Sequence, residues 1–257
     1  MITSTSNAQV RHLVALKSKA KLRRETGTFT VEGIRMFREV PVERLVSVYV
    51  TEHFLASHSE EPGAASWEVL ADAIFAKVSD TVTPQGVLCV VKQAQPTLEE
   101  ILDAKRPAHL LLLDGIQDPG NLGTMLRTGE GAGVTGVIAS KDTVDLYNPK
   151  TIRSTMGSIY RIPYLAVEDF AATLETLRVR GVNLVAADLE GSVPYDEADY
   201  TGPTGFLIGN EGNGIRETSR ALATSRIRIP MEGQVESLNA AVAAALCMYE
   251  VKRQRKG

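Results

Sequence analysis

Three short stretches of this sequence place residues able to do chemistry at spacings that matter. In the first, Asp118-Pro119-Gly120-Asn121 signals a turn and Leu122 to Thr128 continues as a helix, with Arg127 almost two turns in. A guanidinium stays charged at any working pH, so it can grip a phosphate or stabilise a developing alkoxide. In the second, Gly209-Asn210-Glu211-Gly212-Asn213-Gly214 follows the apolar run Phe206-Leu207-Ile208. The glycines let backbone amides and carbonyls approach a ligand closely, with a carboxylate among them. In the third, Ile229-Pro230-Met231 leads through Gly233 and Gln234 to Ser237-Leu238-Asn239-Ala240-Ala241, at the start of an alanine-rich segment. Each stretch also has an ordinary reading. Arg127 suits a surface salt bridge, the glycines a plain turn, and Ser237 or Asn239 a helix cap.

The elements around these stretches alternate strand and helix from His109 onward. Leu110 to Leu113, Val134 to Ala139, Val182 to Ala186, Phe206 to Ile208 and Ile227 to Ile229 read as strands. Helices are expected from Asn121, acting as N-cap, through Leu126 and beyond, from Asn148-Pro149 through Met156, from about Glu168 to Arg180, and from about Ser237 to Arg253. Such alternation implies a mostly parallel sheet covered on both faces, and ligands of such sheets gather beyond the carboxyl ends of the strands. The N-terminal third reads as a smaller α/β domain: a helix over 6–20, strands at Phe29 to Val31, Val46 to Val50, Trp67 to Leu70 and Val87 to Val91, and helices at Gly33 to Val40 and Ala71 to Lys77. Between the two, Lys92 to Pro107 mixes Gln, Pro, Glu and Lys and reads as a linker with a short amphipathic stretch at Leu98 to Leu102.

Composition bounds the possibilities. At 257 residues, with 44% hydrophobic and 23% charged, the chain has the make-up of an ordinary soluble protein. No apolar run approaches the roughly 20 residues needed to cross a bilayer, and the first residues lack the order of a signal peptide. Cys89 and Cys247 sit in apolar segments, as reduced buried thiols do, so a cytoplasmic protein is expected. The four histidines do not cluster and no Cys/His spacing indicates a metal. A net charge of −3 argues against coating nucleic acid by bulk attraction. Even so, Arg11, Lys17, Lys19, Lys21, Arg23 and Arg24 precede the next acid, Glu25, as a local basic run. Such a run is either a solvated helix face or a phosphate-binding patch. Gly131, Gly133 and Gly136 spell GxGxxG, but they end a helix and precede a strand, the reverse of what a nucleotide loop needs. They read as a helix exit with close helix packing, which sets aside a nucleotide-binding oxidoreductase.

Taken together, the three stretches closely resemble the motifs of the SpoU (TrmH-like) family in the SPOUT superfamily of RNA methyltransferases. Asn121, Gly123 and Arg127 match the first motif, with Thr124 where alanine is usual; Gly209, Glu211 and Gly214 match the second; Ile229, Pro230, Met231, Ser237, Leu238, Asn239 and Ala243 match the third. Val144 through Lys150, Arg153 and Gly157-Ser158 are similar to the same family. Asn7, the basic run, Phe29 to Gly33 and Thr83 to Val87 resemble its L30e-like substrate-binding domain.

The resemblance implies an α/β chain in two parts: an L30e-like RNA-binding domain over 1–95, a linker over 96–106, and a SPOUT methyltransferase domain over 107–257 with a parallel sheet and a C-terminal trefoil knot. Topology rules alone would have argued against the knot. It further implies a homodimer without a metal, methylating a ribose 2′-hydroxyl from S-adenosylmethionine, with 23S rRNA the expected substrate. Transfer RNA, a base nitrogen as methyl acceptor, and a non-catalytic RNA-binding relative are the alternatives. By position, Arg127, Asn121, Glu211, Ser237 and Asn239 form the catalytic shell, and the motifs leave the proton acceptor open. Gly209, Asn210, Ile229, Met231 and Leu238 would contact the cofactor, with Leu189 lining its adenine pocket. Lys19, Arg23, Arg24, Arg35, Arg38 and Arg153 would hold RNA through its phosphates.

Overall fold

The computed structural model describes every residue except Pro62, Ala104, 189–192, Glu236 and Gly257. The chain divides into two units: Met1–Gln93 with Tyr147–Tyr160, and Ala94–Leu146 with Arg161–Gly257.

In the first unit, α1 (Ala8–Ser18) starts at Asn7, whose side chain accepts the Gln9 N–H, and turns Val10, Leu13 and Leu16 inward. The helix α2 (Ala20–Thr26) stops at Gly27, whose φ of 60° is open to glycine at little cost. There follow β1 (Thr28–Glu32), α3 (Ile34–Arg38), β2 (Leu45–Val50), α4 (Glu52–Ser57), β3 (Glu68–Val69), α5 (Asp72–Val78) and β4 (Val87–Lys92). The four strands lie in the order β1-β4-β2-β3, with β4 antiparallel to both neighbours. Leu13 and Leu16 of α1 and Phe75 of α5 join Tyr49, Leu88 and Val90 in one core. The basic run does not all face outward. Arg23 is buried and donates to the carbonyls of Leu16 and Lys17 at 2.5 and 3.2 Å, so it ties α2 to α1 and is not placed to hold RNA.

The second unit opens with α6 (Leu98–Leu102), inside the stretch expected to be a linker. Thr97 and Glu100 form a capping box there, and Ile101 is buried in this unit's core. Then come β5 (His109–Asp114), α7 (Pro119–Ala132) and β6 (Gly136–Ser140). The next helix, α8 (Pro149–Thr155), belongs to the first unit and is capped by Asn148 as expected. The second unit resumes with β7 (Tyr164–Val167), α9 (Phe170–Val179), β8 (Asn183–Ala187), β9 (Val193–Pro194), β10 (Thr204–Gly209), α10 (Glu217–Arg220), β11 (Ser225–Arg228) and α11 (Ala240–Gln254). Its sheet is parallel throughout, in the order β7-β6-β5-β10-β8-β11-β9. All six residues of β5 are buried, which is why this strand reads as an unbroken apolar run. The order reverses about β5: β6 and β7 extend one way, while β10 and β8 fill in on the other. Ligands settle beyond strand ends at such a reversal.

The glycines of α7 serve packing, as expected. A Cβ on Gly129 would lie 3.4 Å from the Met248 sulfur and one on Gly131 3.1 Å from the Tyr249 hydroxyl, both on α11. Gly133 closes α7 at φ 85°.

Candidate active site

The turn between β5 and α7 is set by its own residues. Asp118, not Asn121, is the N-cap: its carboxylate accepts the Asn121 N–H at 2.8 Å and Pro119 takes the first helical position. That frees the Asn121 side chain. Its amide donates to Glu211 at 2.9 Å, and its carbonyl accepts from the Asn239 amide at 3.0 Å. Glu211 also accepts the backbone N–H groups of Gln117 and Asp118 at 3.0 and 3.1 Å. Partial burial pushes the Glu211 carboxyl up, but these donors outweigh it and hold the group below the usual carboxylate range. Asn239 is the N-cap of α11, accepting from the Ala241 and Val242 N–H groups. One hydrogen-bonded line thus joins all three motifs: Glu211 to Asn121 to Asn239.

Arg127 lies further along α7, exposed, with no hydrogen bond or ion pair among the described residues. An exposed guanidinium with no such partner is available to an anion.

Beside this line opens a cavity of about 470 Å³. Its walls include Ile208, Ile215, Ile227 and Ile229, together with Gly209, Asn210, Glu211, Met231, Ser237, Leu238 and Asn239. Gly209 ends β10 paired with Asp114 of β5, and a Cβ on it would come within 2.1 Å of the Gly214 backbone. No side chain fits there. The loop after Gly209 is closed by reciprocal backbone bonds between Asn210 and Gly214 at 3.0 and 2.9 Å. The Asn210 side chain is spent inside the protein, accepting from Gly212 and Asn213 and donating to the Gly115 carbonyl at 2.8 Å. At the far end of the loop, Arg216 donates its backbone N–H and its Nε to the buried Asp114 carboxylate at 3.0 and 2.5 Å, and reaches Asp142 at 3.4 Å. Hydrogen bonding from Ser140 holds the Asp142 carboxyl low, against a smaller effect of burial.

The structure therefore gathers Asn121, Glu211, Ser237 and Asn239 with the residues expected at the cofactor. Leu189 lies outside the described residues. Sequence reading missed Asp118, Asp114 and Arg216, which hold the site without lying in a motif match. The Asp-Pro pair at Asp118 was the available signal for the cap; nothing local links Asp114 to a residue about 100 positions away. Of the expected RNA-holding residues, Lys19, Arg24, Arg35, Arg38 and Arg153 lie on the first unit, Arg38 paired with Glu61 and Arg153 with Asp80. Among the described residues no three His, Cys, Asp or Glu side chains gather as a metal site, and no helix is long and apolar enough to cross a membrane.

The cavity suits an adenosyl sulfonium cofactor. It has apolar walls for a purine, a glycine wall that admits only backbone, and two buried polar atoms, Asp188 Oδ2 and Arg220 Nε, without hydrogen-bond partners. A parallel sheet with such a cavity at its strand ends, beside polar groups able to orient a hydroxyl, is an arrangement that can serve group transfer. Residues 108–249 match the model of the SpoU rRNA methylase family, and residues 7–89 match an MRM3-like substrate-binding domain. The chain is 32% identical to the 23S rRNA (guanosine(2553)-2′-O)-methyltransferase RlmP of Bacillus subtilis over 98% of both chains. It is 40% identical to the 23S rRNA (guanosine-2′-O-)-methyltransferase RlmB of Bordetella pertussis, over 67% of this chain and 72% of that one. The crystal structure of the SpoU methyltransferase AviRb from Streptomyces viridochromogenes in complex with AdoMet superimposes with a TM-score of 0.85 at 29% identity, over 97% of this chain and 99% of that one. The chain belongs to the SpoU rRNA methylase family, and is an RNA methyltransferase dependent on S-adenosylmethionine.

Proposed function

We propose that this enzyme methylates a ribose 2′-hydroxyl of 23S rRNA, acting in the cytoplasm as a metal-independent homodimer. The observation that carries the reading is the hydrogen-bonded line Glu211–Asn121–Asn239 at the edge of the cavity, with Arg127, exposed, on the same helix as Asn121. Full-length similarity to RlmP supports the choice of substrate. S-adenosylmethionine, when bound, supplies a methyl group on a sulfonium. The obstacle is the hydroxyl, a poor nucleophile while protonated, which must be oriented and eased toward alkoxide. Arg127 sets positive charge where the alkoxide develops, or on the adjoining phosphate. Asn121, fixed by Glu211 and Asn239, orients the ribose, and Ser237 completes the polar rim. Gly209, Asn210, Ile229, Met231 and Leu238 hold the cofactor, largely by backbone.

Residues 1–95 serve as the L30e-like RNA-binding domain and 107–257 as the catalytic domain, joined through 96–106, where α6 packs with the catalytic part. The catalytic domain carries a trefoil knot near its C-terminal end; the convergence of 187–188, 208–215, 227–231 and 237–243 on one cavity supports it. Lys19, Arg24, Arg35, Arg38 and Arg153 bind phosphates. The exposed pairs of Arg38 and Arg153 hold little stability and yield readily to a stronger anion.

The test is transfer of labelled methyl from S-adenosylmethionine to unmodified rRNA and tRNA, followed by digestion to nucleosides. Label recovered from 23S rRNA as a 2′-O-methylnucleoside is expected. Label on a base, or in tRNA alone, would replace the reading.

A further inference from the structure

One wall of the cavity is charged, and no motif accounts for it. Asp188 follows β8 and Arg220 ends α10; both line the cavity. Their side chains are 13% and 28% exposed. The Asp188 backbone N–H donates to the Ile227 carbonyl at 2.8 Å, which fixes the carboxylate beside β11. Arg220 Nε and Asp188 Oδ2 form an ion pair at 2.9 Å, yet neither atom has a hydrogen-bond partner among the described residues. Both atoms are shut off from solvent. The outer nitrogens of Arg220 reach the Ile215 carbonyl at 3.4 Å and Glu217 at 3.5 Å. The pair has its Coulomb attraction but not its hydrogen bonds, and a buried charge left that way is costly.

A ligand that satisfies both atoms must offer a donor and an acceptor side by side. Adenine does so on its edge, where the exocyclic amine adjoins ring-nitrogen acceptors. The amino-acid end of the cofactor also pairs a donor with an acceptor. Position decides between them. The catalytic turn follows β5 on one side of β10, and Asp188 follows β8 on the other. Ile215 and Ile227 flank the charged pair and give a flat ring apolar surface to lie on.

We propose that Asp188 and Arg220 read the polar edge of the cofactor's adenine, Asp188 accepting from the exocyclic amine and Arg220 donating to N7, which is an acceptor in adenine and hypoxanthine alike. The inference rests on the cavity being the S-adenosylmethionine site, and it assigns base specificity to two side chains in a pocket otherwise read by backbone.

Calorimetry on the full chain tests it without turnover, using S-adenosylhomocysteine, S-inosylhomocysteine and 5′-methylthioadenosine as probes. The inosyl compound replaces the amine by a carbonyl that faces the carboxylate. The wild type is expected to bind it at least about 30-fold more weakly than S-adenosylhomocysteine, the scale of an unmatched buried polar group. In Asp188→Asn that ratio should fall below about 3-fold, since an amide can donate to the carbonyl. Asp188→Asn and Arg220→Gln should weaken 5′-methylthioadenosine and S-adenosylhomocysteine by the same factor. A wild type indifferent to the base would overturn the inference, and needs no variant to fold. So would a ratio unchanged in Asp188→Asn, or variants that lose affinity only for probes carrying the amino-acid tail. A wild type that binds none of the three probes would instead remove the cofactor site itself.

Discussion

Arg127 lies on an exposed helix face with no hydrogen bond or ion pair among the described residues, while Asn121 on the same helix is engaged by Glu211 and Asn239. Replacing it should therefore cost chemistry rather than structure. Arg127→Ala is expected to lower kcat/KM by about 10²–10³ or more, with cofactor affinity changed by less than about 2-fold; equal losses in turnover and calorimetric affinity would contradict the role. Glu211 makes the opposite case. Its folded-state carboxyl is held below the ordinary value, so its contribution is full above the unfolded pKa and disappears as pH falls through the folded one. Glu211→Gln should cost about 1–3 kcal/mol in urea melts at pH 7, because an amide cannot accept three donors at once, and the gap should narrow below pH 4. Arg23 shows where residue-level reading fails. Six cations on a short segment look alike in sequence, and only the packing of α2 against α1 decides that one of them turns inward.

The elements that hold the site were legible where their signals are local. Asn148-Pro149 gave the start of α8, the glycines gave the end of α7, and the apolar run at β5 gave the central strand. Asn121 was read as a cap because it is a good one, but Asp118 precedes a proline and is better placed, which leaves Asn121 free for the site. The edge strands β7 and β9 escaped notice because they are short and only partly buried. The strut between Asp114 and Arg216 is invisible locally, yet it fixes the far end of the glycine loop. Arg216→Ala is expected to raise the KM for S-adenosylmethionine about 10-fold with kcat nearly unchanged, because it loosens the loop without touching the ribose side. Initial-rate kinetics that showed the loss in kcat instead would reassign the residue.

Across the whole molecule, two expectations concern solution conditions. His109 is buried at the start of β5; burial first, and then the charge of Arg255, push its imidazole down to about 4 from 6.5. The folded state therefore favours the neutral ring. Stability should be full above pH 6.5 and fall as pH drops toward 4, by about 2 kcal/mol at pH 5. Urea midpoints at pH 7.5 and 5 measure this, and His109→Leu should flatten that part of the slope. Neutralising Lys19, Lys21 and Arg24 together should weaken RNA binding and reduce the salt slope of log affinity by about 0.7–0.9 per charge engaged; an unchanged slope would return them to a solvated face. Alternating strands and helices announced a parallel sheet, but not the order of its strands, since β10 enters between β5 and β8 through contacts between distant parts of the chain. That insertion has a consequence for biosynthesis. The cavity draws on residues from 187 to 243, so a polypeptide emerging amino end first carries Arg127 well before it has anywhere to put the methyl donor. A chain that has not yet reached residue 243 has no complete cavity and so cannot modify RNA.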